Sequence, residues 1–174
     1  MCVLSDFAVV IYLATAFKKN IMSSISYYKK YGDPTKEKNM IVWVVPNHLR
    51  VGVIPKKIYC NKDFVKQLEK AFVNLIDRGF IKELKTWDGC FNIRPIRGYE
   101  DQYKEAIKAK NYELASKYLS VHSWGMAIDV NRAENGLGQK PKLSLGFVKC
   151  FTDVGFTWGG TFKRSDGMHF EIAV

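Results

Sequence analysis

Apolar residues recur at helical spacing in one central stretch of the chain, which predicts a helix there. Asn61 is an N-cap residue type at the start of this stretch, and Gly79 is a C-cap residue type at its end. The apolar stripe between them consists of Phe64, Leu68, Phe72, Leu75 and Ile76. A second stripe predicts a last helix from Leu143 to Val154, which Gly155 ends.

Short runs of β-branched and aromatic residues predict strands before and between these helices. The predicted strands are Met40–Val45, Val51–Ile54, Phe80–Leu84 and Phe91–Ile93, with a turn at Trp87–Gly89. The segment between Gly98 and Ser120 has helical spacing. Asn131–Lys142 contains glycines and a proline and is predicted to be a loop.

One apolar, small-residue stretch near the middle of the chain carries two polar residues of metal-ligand type. Gly125–Val130 alternates as a strand does, so Asp129 shares a face with Ala127. An ionised carboxylate that faces the interior is costly unless it is paired or binds a metal. His122 lies seven residues before Asp129. Gly125 permits the unusual backbone that would turn His122 back toward that carboxylate.

A second segment near the C-terminus has the same character. His169 and Glu171 share one face of a predicted strand, and Asp166 lies on the turn that enters it. We predict that the two segments lie side by side and that His122, Asp129 and His169 hold one metal ion. Such a set leaves the fourth zinc position open for water. An imidazole on an apolar strand is more often a hydrogen-bonded core residue, so spacing alone leaves both interpretations open.

These two segments also carry a recognisable motif. Ser-x-His-x-x-Gly-x-Ala-x-Asp followed by Asp-x-x-His resembles the signature of the zinc D-alanyl-D-alanine carboxypeptidase and L-alanyl-D-glutamate peptidase family, which includes phage endolysins and the D,D-dipeptidases of vancomycin resistance. Gly89–Gly98 and Gly155–Gly160 resemble segments of the phage-type members. The motif positions are filled by Ser120, His122, Gly125, Ala127 and Asp129, and then by Asp166 and His169.

The resemblance implies an α+β fold of the hedgehog and D,D-peptidase type, in which helices flank a small antiparallel sheet that carries the zinc site. It implies that His122, Asp129 and His169 bind one zinc ion. It also implies that Asp166 is the general base and then the general acid, and that Arg94 stabilises the oxyanion. Arg97 competes with Arg94 for that role or binds a substrate carboxylate. The other candidates for substrate binding are Ser120 and Trp124.

The expected function is a zinc-dependent, endolysin-like peptidoglycan peptidase that hydrolyses an amide bond of the stem peptide. The L-alanyl-D-glutamate bond is favoured because the phage-type segments match best. A D-alanyl-D-alanine carboxypeptidase or dipeptidase would use the same site. A non-catalytic basic module that binds wall polymer or nucleic acid is the alternative from another class.

Charge and cysteine content limit the partners and the compartment. The 174-residue chain has 27 Lys and Arg against 17 Asp and Glu, a net charge of +10. This excess favours anionic wall polymers or lipid headgroups, and we expect no nucleic acid partner and a monomer. Four scattered cysteines, Cys2, Cys60, Cys90 and Cys150, are expected to be reduced thiols. We expect synthesis in the cytoplasm of a phage or prophage host and action at the cell wall.

The first thirty residues are expected to be an apolar and basic extension, and residues 31–174 the catalytic domain. Phe7–Phe17 is uncharged but too short for a good membrane span. It is interpreted as a packed helix, an export or anchor segment, or a terminal extension. The polar, basic stretch from Ser23 to Lys38 is interpreted as a linker and the entry to the catalytic domain. Residues 99–119 form an insert that is either a rim over the peptide groove or a solvated pair of surface helices.

Overall fold

A computed structural model describes residues 24–174 of the chain. The apolar segment Phe7–Phe17 lies outside these residues, so its three interpretations stay predictions. None of the helices in the described part is long and apolar enough to cross a bilayer. The division into an extension and a catalytic domain also stays a prediction.

Two antiparallel sheets form the β part of the fold. The first pairs strand β1 (Met40–Val44) with strand β2 (Lys57–Asn61). The second sheet has the order β3-β4-β6-β5. Its strands are β3 (Trp87–Gly89), β4 (Ala127–Val130), β5 (Phe156–Trp158) and β6 (His169–Ile172). The predicted α+β class, with helices flanking small antiparallel sheets, is confirmed.

Two amphipathic helices cover the second sheet and close the core. Helix α2 (Val65–Asp77) follows a 3-10 turn in which the Asn61 side chain accepts a hydrogen bond from the Asp63 N–H, as its cap role predicted. Helix α6 (Leu145–Thr152) packs against α2 and buries Phe151 against Phe170 of β6, with ring centroids 4.4 Å apart. The central strands are thereby sealed from water on the side away from the polar motif residues.

Three predicted strands are wrong in detail. Val51–Ile54 belongs to the connection between β1 and β2, and the second hairpin strand begins at Lys57. Phe80–Leu84 is largely a 3-10 helix, Phe80–Glu83. Phe91–Ile93 has no strand pairing, and the predicted turn Trp87–Gly89 is itself strand β3. Short apolar runs do not distinguish a strand from one helical turn, and pairing with β4 decided the outcome here.

The linker interpretation of the stretch from Ser23 to Lys38 is also wrong for residues 24–31, which form helix α1. Tyr27 on this helix is fully buried and stacks on Trp124, with ring centroids 5.6 Å apart. The Tyr27 hydroxyl donates to the Ile172 carbonyl of β6, and Ser24 Oγ donates to the Leu119 carbonyl. Helix α1 is therefore part of the packed domain.

The insert forms two short helices, α3 (Glu100–Lys108) and α4 (Tyr112–Ser116), that pack on each other. An antiparallel bridge between Pro95 and Leu119 holds the two ends of the insert together. The predicted loop Asn131–Lys142 includes a short helix, α5 (Arg132–Asn135), at its start. The insert thus begins and ends beside the segments that carry the predicted site residues.

Candidate metal centre

Strands β4 and β6 bring the two motif segments together as neighbours. Their antiparallel register places Asp129 directly opposite His169. His122 lies on the 3-10 turn Val121–Trp124 just before β4, and Gly125 ends this turn with a φ of 63°. A Cβ at Gly125 would stand 2.6 Å from Met40 Cε, so both the backbone angle and the close packing require glycine. The predicted return of His122 toward Asp129 is confirmed.

Three potential ligand atoms converge at this point. His122 Nε2 and His169 Nδ1 each lie 3.1 Å from the same oxygen, Asp129 Oδ1, and 3.2 Å from each other. Ligands of a tetrahedral zinc ion, each about 2.0–2.1 Å from the metal, stand about 3.3 Å apart. The spacing of the three atoms therefore fits a site in which these residues would hold one zinc ion.

The ring nitrogens that face away from this point are both held by oxygen acceptors. His122 Nδ1 lies 2.6 Å from the Cys90 carbonyl oxygen, and His169 Nε2 lies 3.0 Å from Glu171 Oε2. A carbonyl or carboxylate on one nitrogen fixes the proton there and leaves the lone pair of the other nitrogen free for a metal. Both imidazoles are therefore held with their other ring nitrogen directed at the same oxygen, Asp129 Oδ1.

The electrostatic environment favours a positive charge at the same point. Burial opposes ionisation of Asp129, but its short polar contacts with the His122 and His169 rings outweigh it and hold the pKa of this carboxyl well below its usual range. Burial alone would lower the pKa of His169, yet its contacts with Asp129 and Glu171 raise it to about 10, so a metal ion would displace the proton on Nδ1. The partly buried carboxylate of Asp129 and the buried carboxylate of Glu171, next to the two imidazoles, thus create a site that attracts a cation.

Asp166 stands beside this cluster on the turn that leads into β6. Its carbonyl accepts the His169 N–H at 3.1 Å, which confirms the predicted turn. Its Oδ1 atom is buried and has no hydrogen-bond partner among residues 24–174. Burial raises the pKa of Asp166 above the usual carboxyl value, and the nearby Asp129 charge adds to this, whereas His169 opposes it. A carboxylate with a raised pKa and a free oxygen is suited to accept a proton.

Two arginines flank the cluster differently. Arg94 is half-buried, and its Nη1 donates to the Pro95 carbonyl at 3.3 Å. Burial lowers the pKa of its guanidinium and the neighbouring Arg97 adds to this, while the carboxylates of Asp129 and Asp166 oppose it. Arg97 is exposed. Both cations therefore lie within electrostatic range of the cluster, with Arg94 the more fixed and Arg97 the more accessible.

Two of the candidates for substrate binding, Ser120 and Trp124, make contacts that support the fold around the cluster. Trp124 is only 2% exposed, stacks on Tyr27, and donates its indole N–H to the Gly32 carbonyl at 3.0 Å. Ser120 is 7% exposed, and its N–H donates to the Arg94 carbonyl at 2.9 Å. Trp124 fixes the turn that carries His122, and Ser120 ties this turn to Arg94. The substrate-binding assignments of Ser120 and Trp124 stay predictions.

The groups that orient the His122 and His169 rings are not apparent from the sequence. The Cys90 carbonyl is a backbone group, so no side-chain motif could reveal it. Strand alternation puts Glu171 on the same face as His169, but that spacing alone does not show that the Glu171 carboxylate accepts a hydrogen bond from His169. The Phe162 ring, 6.1 Å from the His169 ring, adds an apolar wall beside the site. Cys60, Cys90 and Cys150 are free thiols as predicted.

An α+β domain in which two imidazoles and a carboxylate converge from neighbouring segments has the donor set of a catalytic zinc site. Residues 114–172, about a third of the chain, match a family described as D-alanyl-D-alanine carboxypeptidase. No curated protein and no solved structure matches the chain significantly. The matched range contains all three members of the cluster and Asp166, and it confirms the resemblance to the zinc D-alanyl-D-alanine carboxypeptidase family.

Proposed function

We propose that this protein is a zinc-dependent peptidase that hydrolyses peptidoglycan stem peptides. The observation that carries the proposal is the convergence of His122, Asp129 and His169, whose ligand atoms all lie within 4.8 Å of one another. The family match over the same segment supports it. When bound there, a zinc ion supplies a water nucleophile at neutral pH and polarises the scissile carbonyl.

The chain's own residues would perform the remaining steps. Asp166 accepts the proton of the attacking water through its free oxygen and then passes it to the departing amine. Arg94, held by burial and by the Pro95 carbonyl, stabilises the negative charge that develops on the carbonyl oxygen. Arg97, which is exposed, binds a carboxylate of the stem peptide with its planar fork. Phe162 excludes water from one side of the reacting bond.

The bond that we propose is the one between L-alanine and D-glutamate. The segments Gly89–Gly98 and Gly155–Gly160 support this choice, because they resemble those of phage-type endopeptidases. The description of the matched family supports a second candidate, removal of a terminal D-alanine. The same centre serves both reactions, and the fit of the substrate between Arg97 and the insert would decide between them.

Metal analysis and digestion of purified peptidoglycan test the proposal together. We expect one zinc per chain, digestion that a chelator abolishes and zinc restores, and a loss of at least about 100-fold in rate for Asp166→Asn. His169→Ala should lose both zinc and activity. Mass spectrometry of products from defined muropeptides separates internal cleavage after L-alanine from loss of D-alanine. Digestion by either variant at the parent rate would refute the site.

A non-catalytic binding module is the outcome to be distinguished from a peptidase. A module of that kind would bind wall polymer or DNA in a salt-sensitive manner. It would release no peptide from muropeptides with or without zinc. The preserved set of three ligands, two orienting acceptors and Asp166 favours the enzyme, because binding alone needs none of these groups.

A further inference from the structure

The hairpin of β1 and β2 presents an apolar face to the solvent. Its inner face is formed by residues such as Trp43 and Ile58, which pack toward the core. Its outer face carries Val42 and Val44, which are 56% and 53% exposed, and Tyr59, which is 37% exposed and lies opposite Val42. A half-exposed strand face usually carries polar residues, so this outer face is unusual.

The exposed apolar surface extends into the connection between the two strands. Val51 and Val53 in that connection are 38% and 40% exposed, and Ile41 of β1 is 40% exposed, although it alternates onto the Trp43 side of the hairpin. Six of the eleven large apolar side chains exposed among residues 24–174 therefore fall within residues 41–59. The concentration in one hairpin distinguishes this surface from scattered exposed residues, which need no explanation.

Basic residues are concentrated in the same stretch of the chain. Residues 36–62 contain six basic residues and one acidic residue, so this stretch carries half of the chain's net charge of +10. The acidic residue, Glu37, accepts a hydrogen bond from the Tyr59 hydroxyl. Lys57 lies on the outer face itself, opposite Val44. The basic residues, all exposed, are Lys36, Lys38, Arg50, Lys56, Lys57 and Lys62.

We propose that the outer face of the β1–β2 hairpin docks on an anionic lipid bilayer. Lysines near a bilayer are attracted by anionic headgroups, and valine and tyrosine side chains gain by entering the boundary between headgroups and acyl chains. A soluble polyanion would satisfy the basic residues but would leave the valines in water. The combination of exposed valines and exposed basic residues in one hairpin, with Lys57 on the valine face itself, therefore favours a bilayer over a wall polymer.

Vesicle co-sedimentation of the full chain tests this inference. We expect binding to vesicles of phosphatidylglycerol and phosphatidylcholine, and little binding to phosphatidylcholine alone. The double variant Val42→Thr, Val44→Thr keeps β-branched residues on an exposed face and should bind about tenfold more weakly, since two apolar contacts are lost. Lys56→Gln with Lys57→Gln should weaken binding by about fivefold for each lysine.

Matched controls lie elsewhere on the surface. Leu145→Thr alters an apolar side chain that is 77% exposed on α6, and Lys140→Gln with Lys142→Gln removes two exposed lysines outside the hairpin. Both controls should bind as the parent does. Hydrolysis of a soluble muropeptide should be unchanged in the hairpin variants, which keeps this test independent of the proposed peptidase activity.

Three outcomes would overturn the inference. In the first, the valine variant binds vesicles as tightly as the parent. In the second, only the lysine variant weakens binding and a soluble polyanion competes fully, which indicates a wall polymer. In the third, the parent self-associates through Val42 and Val44 and does not bind vesicles, which indicates a second copy of the chain.

Discussion

Glu171 accepts a hydrogen bond from the His169 ring nitrogen that faces away from the proposed metal, at a distance of 3.0 Å. Both side chains are buried, so the contact is shielded from water. Loss of such an acceptor typically lowers metal affinity by 10- to 100-fold, so we expect about this loss for Glu171→Ala. Competition with a zinc chelator measures it. Glu134→Gln, which affects a surface pair with Lys85, is the control, and equal affinities in all three proteins would contradict the orienting role.

Asp166→Asn should have opposite effects on activity and on stability. Burial raises the pKa of Asp166 above its ordinary value of 3.8. The folded chain therefore holds this proton to a higher pH than the unfolded chain, and the free energy of unfolding falls as the pH rises above about 3.8 until the folded carboxyl is ionised. At neutral pH the ionised carboxylate destabilises the fold, so the amide should raise the melting temperature.

Thermal unfolding of the chelator-treated proteins at several pH values checks this expectation. The gain in melting temperature from Asp166→Asn should be largest near neutral pH. It should vanish below the ordinary carboxyl pKa, where the Asp166 carboxyl is protonated in both the folded and the unfolded chain. Asp153→Asn, which alters an exposed partner of Arg78, is the control for a general charge effect. A lower melting temperature for Asp166→Asn at pH 7 would show that its carboxylate is stabilised in the fold.

Arg94 and Arg97 should differ in which kinetic constant they affect. Removal of an oxyanion donor costs about 100- to 1000-fold in kcat, so Arg94→Gln should lower kcat by about this factor with little change in KM. Arg97→Gln should instead raise KM, because its proposed partner is a carboxylate present in both substrate and transition state. Steady-state kinetics on a defined muropeptide distinguish the two. A higher KM for Arg94→Gln and a lower kcat for Arg97→Gln would exchange the two proposed roles.

Gly125→Ala should destabilise the fold more than the same change at another left-handed glycine. Gly52 has a similar φ of 60° but no atom within 4 Å of an added Cβ, whereas at Gly125 the Asn61 backbone nitrogen would be only 2.8 Å away. Alanine in this conformation costs about 1–2 kcal/mol at either position. Overpacking at Gly125 should add about 1–3 kcal/mol, measured by urea unfolding. Equal losses of stability at the two positions would show that Met40 and the Asn61 backbone can move aside without cost.

Tyr27 should prove to be a core residue of the folded domain. Tyr27→Phe removes the hydrogen bond to the Ile172 carbonyl and should cost about 1 kcal/mol. Tyr27→Ala should cost about 3–5 kcal/mol, as for other large buried aromatic residues. Urea unfolding measures both. Tyr112→Phe, at a position that is 56% exposed, should be neutral. Wild-type stability for Tyr27→Ala would exclude α1 from the folded core.

The predicted ligand cluster agrees with the structure because its residues lie within short segments whose geometry is local. Alternation fixed the faces of Asp129 and His169, and Gly125 allowed the turn at His122. Partners supplied by the backbone or by distant chain segments were not visible in the sequence. The Cys90 carbonyl becomes an acceptor for His122 only after β3 pairs with β4, and three-residue strands such as β3 do not show periodicity.

Helix α1 shows a different reason for failure. Its lysines and its neighbourhood of turn residues suggested a linker, although Ser24, Tyr27 and Tyr31 have the spacing of one helical face. The helix is stabilised mainly by the contact of that face with Trp124 and β6, a tertiary interaction that intrinsic propensity does not include.

The direct pairing of Asp129 with His169 has a practical consequence. A slip of one residue between β4 and β6 would turn His169 toward the opposite side of the sheet and separate it from His122 and Asp129. If the cluster binds zinc as proposed, chains refolded with misaligned strands would not retain it. The zinc-to-protein ratio after dialysis would then report whether the two strands are correctly aligned in each preparation, independent of any substrate.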